Sequence, residues 1–139
     1  MYLLDTNIVS ELRKASSNKA DKRVLAWANS VSASDLFISV ISILELERGI
    51  LLLERRDSLQ GKLLRTWLTT HVLPVFSNRI LPLDTVIAQR CAKLHVPDKR
   101  PDHDAIIAAT ALVHGMIVVT RNIEDFLSMD VEILNPWQY

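Results

Sequence analysis

Met1-Tyr2-Leu3-Leu4-Asp5-Thr6-Asn7 decides the fold, because a short apolar run meets polar residues with no linker between them. The run from Tyr2 to Leu4 predicts a short buried strand, and Asp5 ends it. A carboxylate directly after a buried strand costs folding free energy unless a hydrogen bond or a cation compensates its charge. Two interpretations of Asp5 therefore stay open: it caps the helix that follows, or it points into a functional site.

Outward from this stretch, short apolar runs alternate with longer stretches of helical periodicity. This order predicts the α/β class, with a mostly parallel central sheet flanked by helices. Gly115, directly after His114, is a typical helix stop. The expected strands are Tyr2-Leu4, Leu36-Val40, Met116-Thr120 and Val131-Leu134, with Ile80-Pro82 as a further fragment. The expected helices are Asn7-Arg13, Lys22-Asn29, Ile43-Glu54, Leu59-Leu73, Thr85-Leu94, His103-His114 and the short Glu124-Met129.

Composition sets the limits for the class of protein. The 139 residues contain no repeat or Pro/Gly-rich linker, so we expect one domain over residues 1–139. The 16 basic and 16 acidic residues balance, so any attraction for a polyanion must be local. The single cysteine, Cys91, excludes an internal disulfide. No basic segment precedes the first apolar run and no stretch is long enough for a membrane span, so we expect a cytoplasmic protein without membrane contact.

Four acids are predicted to meet at one edge of the sheet. Asp5 ends the first strand, Glu45 follows the second, Asp104 opens a helix, and Asp125 follows the strand that ends at Thr120. Open parallel sheets bind ligands at the carboxyl ends of their strands. Crowded carboxylates repel one another, and a hard cation such as Mg²⁺ relieves the repulsion. The pattern therefore predicts a Mg²⁺ or Mn²⁺ site made of Asp5, Glu45, Asp104 and Asp125.

Each of these acids also has a purely structural interpretation. Ser42-Ile43-Leu44-Glu45 reads as a capping box in which Glu45 reaches back to Ser42. Asp102 and Asp104 both suit a helix N-terminus, and so does Asp125. Asn122 competes with Asp125 for the fourth position of the site. His103 adjoins the site but is expected to be solvated surface. The joint placement of the acids favours the functional interpretation.

Four motifs, in order along the whole chain, resemble the PIN-domain ribonuclease toxins of VapBC modules. The C-terminal Asn135-Pro136-Trp137, with Ile80-Leu81-Pro82, is similar to the FitB branch of that family. The motifs are Met1-Tyr2-Leu3-Leu4-Asp5-Thr6-Asn7, Ser42-Ile43-Leu44-Glu45-Leu46 with Gly49, Asp104-Ala105-Ile106-Ile107-Ala108-Ala109-Thr110-Ala111, and Val118-Val119-Thr120-Arg121-Asn122 through Asp125-Phe126.

The resemblance implies a PIN-like three-layer fold and specific functional residues. It implies that Asp5, Glu45 and Asp104 hold the metal and are needed for cleavage. Some family members carry Asp where this chain has Asn122, and others use an acid three residues later, which Asp125 matches. The resemblance further implies an RNA substrate (often transfer RNA), a homodimer and a cognate VapB-like antitoxin, with DNA contacted only through the antitoxin.

Two other function classes compete with this interpretation. A phosphatase of the haloacid dehalogenase type needs a second Asp two residues after the first, where this chain has Asn7. A PIN-like binding module without activity should have lost an acid, and this chain keeps the three principal ones. Two basic stretches border the expected site, Arg13 to Arg23 and Lys99-Arg100. The segment Ile43 to Leu53 is apolar on nearly every side, which predicts contact with another chain.

Overall fold

A five-stranded sheet, all of whose strands are parallel, forms the centre of the computed structural model, which describes residues 1–139. The strands lie in the order β3-β2-β1-β4-β5, so the first strand is central. The α/β prediction is thereby confirmed. The strands are β1 Tyr2–Leu4, β2 Leu36–Ser39, β3 Ile80–Leu81, β4 Ile117–Val119 and β5 Ile133–Leu134, most of them shorter than expected by one or two residues.

Seven α-helices connect and cover the strands. Most begin or end within a few residues of the expected positions, and Gly115 ends the last of them in the left-handed conformation (φ 67°) that favours glycine. No helix has the length and apolar composition needed to cross a membrane. The helices are α1 Thr6–Arg13, α2 Lys22–Ser30, α3 Val40–Arg56, α4 Ser58–Trp67, α5 Leu73–Val75, α6 Thr85–Leu94 and α7 Asp102–His114.

Three details correct the expected helices. Ser39, not Ser42, caps α3: its Oγ accepts the Ile41 amide at 3.0 Å, so the helix starts directly after β2 and Ser42 lies within it. The helix expected over Leu59-Leu73 is interrupted by a π turn at Leu68–Val72. The helix expected over Glu124-Met129 is only a 3₁₀ turn, Ile123–Asp125, because Phe126 and Met129 turn inward as buried core residues.

The sheet divides the core into two layers. Consecutive strand residues face opposite sides: Leu3 and Val118 pack with Ile107 of α7, while Leu4 and Val119 lie in the second layer. Cys91 and Trp27 are buried core residues. With helices on both faces, the domain has the three layers that the sequence predicts.

The topology brings three chain segments together at one edge. Leu4 of β1 pairs with Ile38 of β2 on one side and with Val119 of β4 on the other. Asp5 and Thr120, which directly follow β1 and β4, and Ser39, the last residue of β2, are all buried. The chain runs from β1 to β2 on one side and from β4 to β5 on the other. The connections after the neighbouring strands β1 and β4 therefore point in opposite directions, and open α/β sheets place their ligands at such a position.

Candidate active site

Asp5 is held at the centre of this edge by three donors. Its Oδ1 accepts the Thr6 amide at 2.8 Å, and its Oδ2 accepts the Thr120 hydroxyl at 2.8 Å and the Asn7 side-chain amide at 3.3 Å. Asp5 therefore caps α1 and also faces the neighbouring strands, so its two interpretations do not exclude each other. Burial raises its pKa, the Thr120 and Thr6 hydrogen bonds offset part of this, and the charges of Glu45 and Asp125 raise it further.

Glu45 is held on both of its carboxylate oxygens. Oε1 accepts the Thr6 hydroxyl at 2.6 Å, and Oε2 lies 3.3 Å from Nδ1 of His103. The capping-box interpretation is therefore wrong, since the Glu45 side chain contacts α1 and α7 and does not bind the start of its own helix. His103, expected at the solvated surface, is half-buried against Glu45.

Asp104 lies in the first turn of α7 and accepts no hydrogen bond from another side chain. Burial is the main cause that raises its pKa, to about 6. The carboxylates of Asp5, Asp125 and Glu45 add to this increase, and His103 opposes it. Asp102 is not part of this group, because its exposed carboxylate lies 3.7 Å from His95 Nε2.

Asp125 ends the 3₁₀ turn after β4 and is exposed. Its charge contributes to the raised pKa of both Asp5 and Asp104, which places it within electrostatic range of both carboxylates. Asn122, three residues earlier, donates its backbone N–H to the Thr120 hydroxyl at 3.0 Å, and its side chain makes no hydrogen bond. Which of the two completes a metal site stays a prediction.

We call Asp5, Glu45, Asp104 and Asp125 the acidic edge. None of the four forms an ion pair with lysine or arginine, and the imidazole of His103 beside Glu45 is the only basic side chain in contact with them. No three Asp, Glu, His or Cys side chains converge closely enough to surround one ion in this arrangement. Negative charge is nevertheless concentrated here with no lysine or arginine to compensate it. All the atoms that could bind a metal are carboxylate oxygens. This donor set fits a hard divalent cation.

Thr6, Asn7 and Thr120 contact the acidic edge, and the sequence did not single them out for this role. Thr6 contacts Glu45, and Asn7 and Thr120 contact Asp5. In the sequence, Thr6 and Asn7 follow Asp5 at the start of a helix and have the pattern of ordinary capping residues. The role of Thr120 requires β4 to lie next to β1, and no local pattern indicates this pairing.

The basic stretch near the site is partly committed to other contacts. Lys14 pairs with Glu11 at 3.2 Å, and Arg23 pairs with Asp21 at 3.3 Å. The guanidinium of Arg13 lies over the ring of Trp67, 5.9 Å from its centroid. The Nε atom of Arg100, on the other side of the site, is buried without a hydrogen-bond partner.

Comparison with known proteins connects this arrangement to one family. Residues 2–131 match the PIN domain family. The chain is 37% identical to Toxin FitB of Neisseria gonorrhoeae and 35% identical to VapC ribonuclease Y4jK of Sinorhizobium fredii, covering 99% of each chain in both cases. It superposes on the crystal structure of FitAcB from Neisseria gonorrhoeae with a TM-score of 0.89 and 34% identity, covering 100% of both chains. The chain therefore belongs to the VapC/FitB toxin family of PIN-domain proteins.

Proposed function

We propose that this protein is the toxin of a toxin–antitoxin module and hydrolyses RNA as a Mg²⁺- or Mn²⁺-dependent endoribonuclease. The observation that carries the proposal is the acidic edge, which brings four carboxylates to the carboxyl ends of parallel strands without a lysine or arginine partner. VapC ribonuclease Y4jK, a relative that covers nearly the whole chain, is named for ribonuclease activity. The substrate class we propose is structured RNA such as transfer RNA.

Asp5, Glu45, Asp104 and Asp125 would hold the cation. When bound, it supplies positive charge that stabilises the scissile phosphate and acidifies water near neutral pH. The Thr120 hydroxyl fixes Asp5, and Thr6 with His103 fixes Glu45, so these two carboxylates are oriented before substrate arrives.

The proton chemistry falls to the carboxylates themselves. Glu45 or Asp104 would orient the attacking water and accept its proton as the general base. Water oxygen forms the new bond to phosphorus, the bond from phosphorus to the 3′ oxygen breaks, and the 3′ oxygen gains a proton. The products are a 5′-phosphate and a 3′-hydroxyl, since water attacks in place of the ribose 2′-hydroxyl.

A phosphatase of the haloacid dehalogenase type fits the site less well. The second Asp of that mechanism would stand where this chain has Asn7. The Asn7 side chain donates to Asp5 and, at 3.4 Å, to the Thr120 hydroxyl, so it is occupied in positioning Asp5. An inactive binding module is disfavoured because all four acids of the edge are present.

The apolar surface of α3 and α4 supports the proposed partners. Leu51 and Leu52 of α3 are 55% and 61% exposed, and Leu59 and Leu63 of α4 are 68% and 57% exposed. Leucines this open on adjacent helices favour burial against another chain. We propose a homodimer and a VapB-like antitoxin that blocks the acidic edge, with DNA reached only through the antitoxin. Because its RNA target would be cytoplasmic, we place the protein in the cytoplasm.

The test is cleavage of an end-labelled transfer RNA and of a generic phosphomonoester, each with Mn²⁺ and with EDTA. We expect RNA cleavage with Mn²⁺ alone, 5′-phosphate ends on the products, and no turnover of the phosphomonoester. Turnover of the phosphomonoester alone would point to a phosphatase. No reaction on either substrate would favour a binding module, and undiminished RNA cleavage in EDTA would contradict the metal.

The homodimer is tested by light scattering on purified protein. We expect the mass of two chains for wild type and of one chain after Leu51→Glu and Leu52→Glu together, because charge on the apolar surface opposes association. Val86→Glu, on an exposed apolar residue of α6, is the control. A strictly monomeric wild type would contradict this part of the proposal.

A further inference from the structure

A polar cleft of about 480 Å³ opens beside Asp125, and only one of its seven lining residues is apolar. Its volume lies within the range of small-ligand sites, roughly 300–1,000 Å³. Besides Asp125, the residues that matter below are Arg121, Asn122, Asn135 and Gln138. We call this feature the polar cleft. Because it shares Asp125 with the acidic edge, anything bound in it adjoins the proposed cleavage position.

The guanidinium of Arg121 is a planar cation in the lining of the polar cleft. The guanidinium carbon of Arg121 lies 5.1 Å from the ring centroid of Trp137, within the range of a cation–π contact. Trp137 is only 8% exposed, so its ring is a fixed support. Arg121 is exposed and pairs with no acid, which leaves the guanidinium available for a second flat group. Guanidinium planes stack on unpaired RNA bases.

Three amide side chains face the same space. Asn135 is fixed, because its Oδ1 accepts the Trp137 amide at 2.9 Å, and its NH₂ group makes no other hydrogen bond. The side-chain amides of Asn122 and Gln138 have no hydrogen-bond partner. An amide offers both a donor and an acceptor, and base edges are recognised by this combination.

The net charge of the polar cleft favours the base of a nucleotide over its phosphate. Glu124 and Asp125 line it and outnumber the single cation, Arg121. A phosphate would be repelled there, whereas an uncharged, flat, polar group meets a stacking surface and free amides. A nucleobase has this chemistry.

We propose that the polar cleft binds one unpaired nucleobase next to the scissile phosphate. The base would stack on Arg121, and the side-chain amides of Gln138 and Asn135 would hydrogen-bond its edge. The polar cleft would thereby set the base preference of cleavage. The inference rests on the proposed function, since it names a substrate subsite of the same enzyme.

The test is a titration of the full-length protein in EDTA, followed by NMR signals of the Gln138 amide and the Trp137 indole. The probes are AMP, GMP, CMP and UMP, with ribose 5-phosphate as the probe without a base. We expect base-dependent shifts at millimolar concentrations for the nucleotides and none for ribose 5-phosphate. Gln138→Ala and Arg121→Lys should each weaken binding about fivefold or more, the effect of losing one stacking or edge contact. Gln89→Ala, an exposed glutamine on α6, is the matched control.

A second readout uses RNAs that differ only at the nucleotides flanking the cut. The Gln138→Ala variant should lose base preference while its half-saturating Mn²⁺ concentration stays at the wild-type value. Equal shifts with ribose 5-phosphate, no shifts with any nucleotide, or a Gln138→Ala variant that keeps the wild-type base preference would each overturn the inference. A wild type that fails to cleave RNA would instead overturn the proposed function, because the titration in EDTA does not depend on cleavage.

Discussion

The two halves of the acidic edge differ in how their carboxylates are held. Asp5 and Glu45 accept hydrogen bonds from Thr120, Thr6 and Asn7, and Glu45 also meets His103. Asp104 and Asp125 accept none, yet their charges act on the same site. We call the first pair the held half and the second pair the free half.

This difference indicates a division of work. The held half is fixed by the fold, because its donors come from strand ends and helix starts that pack into the core. The free half keeps lone pairs unused and a raised pKa at Asp104, which is costly for the folded protein and useful only if a cation binds. The following predictions test the division, from the largest expected effect to the smallest.

Removing one principal acid from either half should abolish activity. Asp5→Asn and Asp104→Asn should each lower the RNA cleavage rate more than about a hundredfold, since loss of a direct ligand should exceed the roughly 10–100-fold cost of losing a supporting residue. Initial rates on labelled RNA measure this, with circular dichroism as the check on folding. Glu132→Gln, on an exposed acid at the opposite edge of the sheet, should cleave normally. Wild-type rates in Asp104→Asn would refute the role of the free half.

Removing a support of the held half should have a smaller effect. Thr6→Val and Thr120→Val keep the shape but delete the hydroxyls that donate to Glu45 and Asp5. We expect about a 10–100-fold rise in the Mn²⁺ concentration needed for half-maximal cleavage. Thr85→Val, on an exposed threonine of α6, should leave that concentration unchanged. Unchanged metal dependence in both site variants would mean that the held half needs no fixed orientation.

Loss of the fourth acid should lower cleavage activity in a way that excess metal restores. Asp125→Asn replaces a full charge with a neutral amide, so we expect about a tenfold loss at limiting Mn²⁺ that excess Mn²⁺ restores. Asn122→Ala should cleave nearly as wild type. The opposite outcome, normal cleavage by Asp125→Asn and failure of Asn122→Ala, would move the fourth position of the site to Asn122.

The free half should cost stability when metal is absent. The pKa of Asp104 is raised from 3.8 to about 6, so the folded chain keeps its proton longer than the unfolded chain does. The free energy of unfolding therefore falls as the pH rises from about 4 through about 6. Asp104→Asn should raise the melting temperature in EDTA by a few degrees at a pH of about 7.5 and have little effect at a pH of about 4. A lower melting temperature at the higher pH would show that the ionised carboxylate stabilises the fold.

The contrast between the halves also explains what the sequence could predict. The acids are visible because each follows an apolar run or opens a helix, and one rule about parallel sheets brings them to the same edge. Strand-helix alternation predicts the α/β class for the same reason, since both periodicities are local.

The supports were missed because they depend on tertiary contacts. Thr120 reaches Asp5 only because β4 pairs with β1, and the two residues are 115 positions apart. Ser42 to Glu45 has the spacing of a capping box, but β2 continues directly into α3, so Ser39 becomes the cap and frees Glu45 to reach Thr6 and His103. The short turn Ile123–Asp125 forms because Phe126 is drawn into the core, which overrides local helix preference.

Calorimetric titration of Mn²⁺ into purified wild type, Asp104→Asn and Glu132→Gln tests the central claim most directly, because it measures cation binding without RNA. Wild type and Glu132→Gln should bind Mn²⁺ with the same affinity, and Asp104→Asn should bind at least about tenfold more weakly. Equal affinity in all three proteins, or no binding to wild type, would contradict the proposal that the acidic edge is a metal site.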